Sequence, residues 1–174
     1  LTIANALSHD LYYKMIDPNA PTSRRVAISK ALLVVVALAA AGVAAQKPAD
    51  ILFLVSAAFS FAAATFFPPL VLGIFWKRAN KWGASLGMIA GLGTTFYYMA
   101  TTQPWLRSVF GVVSPIADNI WWGIQPISAG LWGVPIGIAV IIVVSLLTPP
   151  PSPATQELVE HVRYPDLKLG AMTP

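Results

Sequence analysis

Apolar residues in this chain fall into long runs broken by short polar turns, and the runs set the layout. Continuous apolar stretches cover 26–46, 51–76, 83–101 and 131–148. Each approaches the roughly 20 residues that a helix needs to cross a hydrocarbon core about 30 Å thick. The runs lack period-2 alternation, and each is predicted as a transmembrane helix. Lys30 is the one charge inside the first run, close enough to its start for the ammonium to reach the interface. Ser23, just ahead of that run, is the expected N-cap. The stretch 1–13 is read as the end of a transmembrane helix whose beginning lies upstream, with Thr2 and Asn5 on one face. The stretch 51–76 holds no charged residue. As a straight helix it would be about 39 Å long at 1.5 Å per residue, so it has to tilt, bend or protrude. Pro68 and Pro69 supply the expected bend, because neither has an N–H to give the carbonyl four residues earlier.

The remaining segments are predicted from their turn residues. The segment 102–130 carries several prolines and tryptophans and reads as an external loop, with a short interfacial helix around 116–124. Tyr97, Tyr98 and Trp132 are expected at the interface on that side. The polar segment 149–174, entered through Pro149-Pro150-Pro151, reads as a tail containing a short amphipathic helix near 157–163. Gly83, Gly87 and Gly91 recur every four residues and predict a close helix–helix contact.

Composition narrows the class. The chain has 174 residues, 56% hydrophobic and 10% charged, against about 25% charged in ordinary soluble domains. An all-α integral membrane protein follows. There is no cysteine, which excludes disulfides and thiolate metal sites. The basic residues form no stripe interleaved with exposed aromatics, so nucleic acid is not an expected partner; the lipid bilayer is. Their distribution orients the chain. Lys14, Arg24, Arg25, Lys77, Arg78, Lys81, Arg163 and Lys168 fall on one side of the alternating spans, and only Lys47 and Arg107 on the other. By the positive-inside bias the first side is cytoplasmic, with Lys77, Arg78 and Lys81 as the marker and the C-terminus inside.

Chemistry is sparse. No phosphate-binding loop, zinc-protease motif or catalytic triad is present, and no Asp, Glu or His falls in the middle of a span. The His9-Asp10 pair at a helix exit reads as an interfacial hydrogen-bonding pair. An enzyme is not expected. The polar atoms inside the long second span are Ser56, Ser60 and Thr65. They are the candidate substrate or ion-pathway groups, with Pro68 and Pro69 as a hinge. Hydroxyls and carbonyls of this kind suit a hard, weakly held cation such as sodium.

The run from Phe66-Phe67-Pro68-Pro69 through Gly73-Ile74-Phe75-Trp76-Lys77-Arg78-Ala79-Asn80-Lys81-Trp82-Gly83-Ala84, together with Asn5-Ala6-Leu7-Ser8-His9-Asp10, resembles the sodium:solute symporter family. Gln156 to Pro165 resembles the tail of its cation/acetate symporter branch. The resemblance implies the C-terminal part of a LeuT-type five-plus-five inverted-repeat transporter with extra peripheral helices. Residues 1–13 would end core helix eight, the next two spans would be core helices nine and ten, and the last two would be peripheral. It implies a sodium-coupled importer of acetate or a similar short monocarboxylate in the cell's inner (plasma) membrane. Its N-terminal helices would belong to the same protein, and no bound cofactor is needed. The sodium ligands would lie upstream of Leu1. The alternative is a non-transporting membrane subunit that packs on a partner through Gly83, Gly87 and Gly91.

Overall fold

In the computed structural model the described residues are 21–46, 49–163 and, ahead of these, Ala6, Tyr12, 14–17 and Asn19. The readings at Thr2, Asn5, His9, Asp10, Lys47 and 164–174 lie outside them. Among the described residues every regular element is helical and no strand is present. The chain divides into two compact units, 1–48 and 49–174.

The first unit holds α1, Thr22–Ala45. It starts directly after Pro21, whose backbone is extended and makes no side-chain cap, so Ser23 sits inside the first turn and is not the expected N-cap. A proline just before a helix suits this start because its missing N–H would have no intrahelical partner anyway. Arg24 lies 3.9 Å from Asp17, a loose surface pair.

The second unit contains α2 (Ile51–Phe75), α3 (Lys81–Thr102), α4 (Pro104–Phe110), α5 (Ile116–Asn119), two 3-10 turns (Trp121–Gly123 and Pro126–Ser128), α6 (Gly130–Leu147) and α7 (Pro153–Arg163). Helices α2, α3 and α6 pack against one another. Among the described residues, three segments are long and apolar enough to cross a membrane: Thr22–Ala45, Ile51–Phe75 and Pro126–Leu147. Helix α3 is comparably long, with 22 residues, but is not among them. Its glycines, threonines and tyrosines lower its hydropathy. Several of those residues, Gly83, Gly87, Gly91, Thr95, Tyr98 and Thr102, are the ones it buries.

The glycine stripe does what its spacing predicts. A Cβ at Gly87 would come within 2.9 Å of the Gly137 carbonyl, and one at Gly91 within 3.0 Å of the Gly133 carbonyl. The reverse approach is as close: a Cβ at Gly133 would lie 2.6 Å from the Gly91 carbonyl. So the Gly83/Gly87/Gly91 face meets a second glycine face, Gly133 and Gly137 of α6. Backbones this close permit weak Cα–H···O contacts and dense packing where no hydrophobic force between helices operates in lipid.

Helix α2 continues through Pro68 and Pro69 as α-helix. Pro68 cannot donate to the Ala64 carbonyl. That oxygen instead faces Gly91, where a Cβ would overlap it, and lies 3.5 Å from the Cβ position of Gly137. The glycines thus give an orphaned carbonyl room against two neighbouring helices. Pro68 is fully buried there.

The segment 102–130 is not a simple loop. Arg107 folds it: the residue is only 8% exposed, and its guanidinium donates to the carbonyls of Thr101, Val112 and Ser114. Gly111, at φ +64°, ends α4 in the left-handed conformation that glycine adopts without a Cβ clash. Tyr98, expected to mark the interface, packs inside the bundle. It is fully buried, its hydroxyl donates to the Ile124 carbonyl, and its ring packs 5.1 Å from Trp121 and 6.4 Å from Trp132. Tyr97, on the next position of the helix, is exposed. Trp132 belongs to the same cluster, 5.5 Å from Trp121 and 5.1 Å from Trp122, and its Nε1 is buried without a hydrogen-bond partner.

Candidate functional site

The hydroxyls singled out on α2 do not form one group. Positions 56 and 60 are four apart and share a face; position 65 is rotated well away from it. Ser56 and Ser60 line an open groove beside Phe59, Ala63 and Leu131, near one end of the bundle. Ser60 donates to the Ile127 carbonyl at 2.7 Å, which ties α2 to the 3-10 turn ahead of α6. With its proton committed there, the Ser60 oxygen still has lone pairs to offer a cation or a donor. Thr65 donates back to the Phe61 carbonyl of its own helix at 2.7 Å and does not line that groove. Among the described residues no cluster of His, Cys, Asp or Glu is placed to hold a metal ion.

The opposite end of the bundle is organised by Asn80, which the sequence reading passed over. Its side-chain oxygen caps α3 by accepting from the Gly83 N–H at 2.8 Å. Its amide nitrogen donates to Thr148 Oγ1 at 2.6 Å and to the Pro149 carbonyl at 3.0 Å, and its own N–H reaches Ser145 Oγ at 3.3 Å. One buried asparagine therefore joins the start of α3 to the end of α6. The cue was present: an N-cap residue type directly before an apolar helical run. The α6 partners, far away in sequence, were not readable from it.

The three marker cations of the turn have separate tasks. Lys77 pairs with Glu160 of α7. Arg78 donates to the Leu146 carbonyl at 3.2 Å, near the C-terminus of α6, where a cation also suits the helix dipole. Lys81 lies over the Trp82 ring at 5.6 Å. Arg163 of α7 lies over Phe75, at the end of α2, at 5.3 Å. The tail helix is thereby held to the end of α2 and to the turn by two contacts with charged side chains.

A bundle of apolar helices joined by glycine seams, with an α-helix carried through two prolines, is the architecture of a polytopic membrane protein. The description "Sodium:solute symporter family" matches residues 1–91, and the chain belongs to that family. It is 50% identical over 163 residues to an uncharacterized symporter of Cupriavidus necator, covering 94% of this chain and 23% of that protein. It is 36% identical over 98 residues to the high-affinity proline transporter PutP of Bacillus subtilis, covering 56% of this chain and 21% of that protein. It is also 31% identical over 157 residues to a sodium/proline symporter of Escherichia coli, covering 90% and 27%. The chain thus spans about a quarter of the length of these curated relatives. They are symporters and transporters, not enzymes. The acetate branch read from the tail finds no support among them, since the two that name a substrate name proline. No solved structure matches the chain.

Proposed function

We propose that the full-length protein is a sodium-coupled secondary transporter that imports a small carboxylate by alternating access, and that this chain supplies part of its core. The observation that carries the reading is the family match over residues 1–91, which takes in α1, α2 and the basic turn. In this reading the protein has the LeuT-type five-plus-five arrangement, with α1 and α2 as core helices nine and ten and α3 and α6 peripheral. Ser56 and Ser60 then face the substrate or ion path from α2. Pro68 and Pro69 form the hinge, because two missing backbone hydrogen bonds in succession lower the cost of bending there. The basic turn and the C-terminus are cytoplasmic, and the membrane is the inner membrane. Sodium is carried as a co-substrate whose ligands come from helices upstream of Leu1, and its binding favours one gated state of the core.

For the substrate, the resemblance of the tail favours acetate or a similar short monocarboxylate. A second reading, proline, is favoured by the named relatives. Both solutes present one small carboxylate, so one experiment separates them. Uptake of labelled acetate and labelled proline is measured in cells expressing the full-length protein, with and without a sodium gradient. The proposal expects sodium-dependent uptake of one of the two. Equal uptake in sodium and in choline for both solutes would sink it. The competing idea of a subunit that recruits a partner through Gly83, Gly87 and Gly91 loses its basis, because α6 already covers that face.

A further inference from the structure

A cavity of about 670 Å³ opens at the basic-turn end of the bundle, between α2, the start of α3, the Pro149–Pro151 strap and α7. The volume is within the range of about 300–1,000 Å³ typical of ligand pockets. Its cause is visible in the sequence. Pro69 and Gly73, four residues apart, share the face of α2 that lines it, and neither carries a side chain that could fill it. A Cβ at Gly73 would meet nothing within 4 Å. The consecutive prolines of the strap have no N–H to pair with α2 and cannot continue α6 as a helix over the gap. Ile141 and Val159 make the rest of the floor apolar, while Lys81 and Trp82 stand on its lining at the turn.

The charges at this end are not equivalent. Lys77 is paired with Glu160, and Arg78 is bonded to the end of α6. Lys81 stacks on its neighbour Trp82, and no acidic side chain pairs with it among the described residues. An apolar cleft beside a cation and an indole matches the chemistry of a phospholipid at the headgroup boundary. A fully apolar guest would leave Lys81 unused, and a free anion would leave the apolar floor empty.

We propose that this cavity binds one anionic glycerophospholipid, its phosphate against Lys81 and a stretch of one acyl chain over Gly73. The site does not depend on the transported substrate, so its fate is separate from that of the transport reading.

The test uses the full-length protein in mild detergent, exchanged against phosphatidylglycerol or phosphatidylcholine, with retained lipid read by native mass spectrometry. Wild type should retain phosphatidylglycerol in preference to phosphatidylcholine. Lys81→Gln should lower phosphatidylglycerol retention about fivefold, the loss of one Lys contact of about 1 kcal/mol to an anionic lipid surface. Gly73→Leu, which has room for its side chain, should lower retention of both lipids while the thermal unfolding midpoint holds. Inorganic phosphate should not displace the lipid. Equal retention of the two lipids by wild type overturns the proposal. So does wild-type retention in both variants, the result expected if another segment of the full-length protein fills the cavity. Displacement by phosphate, with Gly73→Leu unaffected, marks a simple anion site and also overturns it.

Discussion

At the scale of single residues, glycines in this chain differ by what a Cβ would meet. Gly91 and Gly93 are two positions apart on the same helix. A Cβ at Gly91 runs into the Ala64 and Gly133 carbonyls, whereas one at Gly93 meets nothing within 4 Å. Gly91→Ala must therefore push helices apart and should cost about 1–3 kcal/mol, the usual penalty for overpacking. Gly93→Ala should be neutral or stabilising by up to about 1 kcal/mol through helix propensity. Thermal unfolding of the full-length protein in detergent, comparing the two variants, checks this. Equal midpoints would remove the glycine seam as a packing device. Asn80 gives a second residue-scale prediction. Asn80→Ala loses the α3 cap and leaves Thr148 and Pro149 without their donor, so about 1–3 kcal/mol should be lost. Asn80→Asp, which keeps the capping oxygen but not the donating amide, should retain part of that. A midpoint unchanged in Asn80→Ala would show that the α3–α6 join does not rest on this side chain.

At the scale of elements, α7 is the piece whose attachment is testable. It is held at the basic turn by Lys77–Glu160 and by Arg163 over Phe75. Both side chains of the ion pair are close to half exposed, at 48% and 42%. Such pairs are worth about 0.2–1 kcal/mol. Lys77→Glu and Glu160→Lys should each loosen α7, and the double reversal should restore it. Protease nicking near Pro149–Pro153 reports the loosening, because a released helix exposes that strap. If both single variants resist cleavage as well as wild type, the pair does not anchor the tail. The elements also show where sequence reading reaches. Helix α2 was legible from its uncharged length, and the amphipathic helix from the pattern at 157–163; the structure places it at Pro153–Arg163. The short helix expected around 116–124 has its counterpart in α5 (Ile116–Asn119) and the turn Trp121–Gly123, but α4 and the folding of the segment around it had no such cue. They depend on Arg107 finding three carbonyls, two of them beyond the end of α4, and a lone arginine in a proline-rich stretch carries no sign of that.

At the scale of the whole molecule, the transport reading predicts a coupling that no local contact supplies. Replacing Pro68 and Pro69 together by alanine restores two backbone hydrogen bonds to α2 and stiffens it. If bending there gates the path, sodium-dependent uptake by the full-length protein should fall severalfold while its thermal stability holds or rises. Uptake at the wild-type rate would leave the prolines a static packing role. The sequence by itself determined the class of molecule and its family. It also marked the long apolar runs, because bilayer thickness demands a length and a composition that show in the sequence alone. It marked the glycine stripe too, because a four-residue spacing is local. Only the tertiary structure decided what the stripe packs against, and where the carbonyl freed by Pro68 goes. It alone buried Tyr98 beside Trp121 and Trp132, tied Ser60 to the Ile127 carbonyl, and made Asn80 the join between α3 and α6. These outcomes depend on pairs such as Asn80 with Thr148, or Gly91 with Gly133. Their contact energy exists only once distant segments are brought side by side.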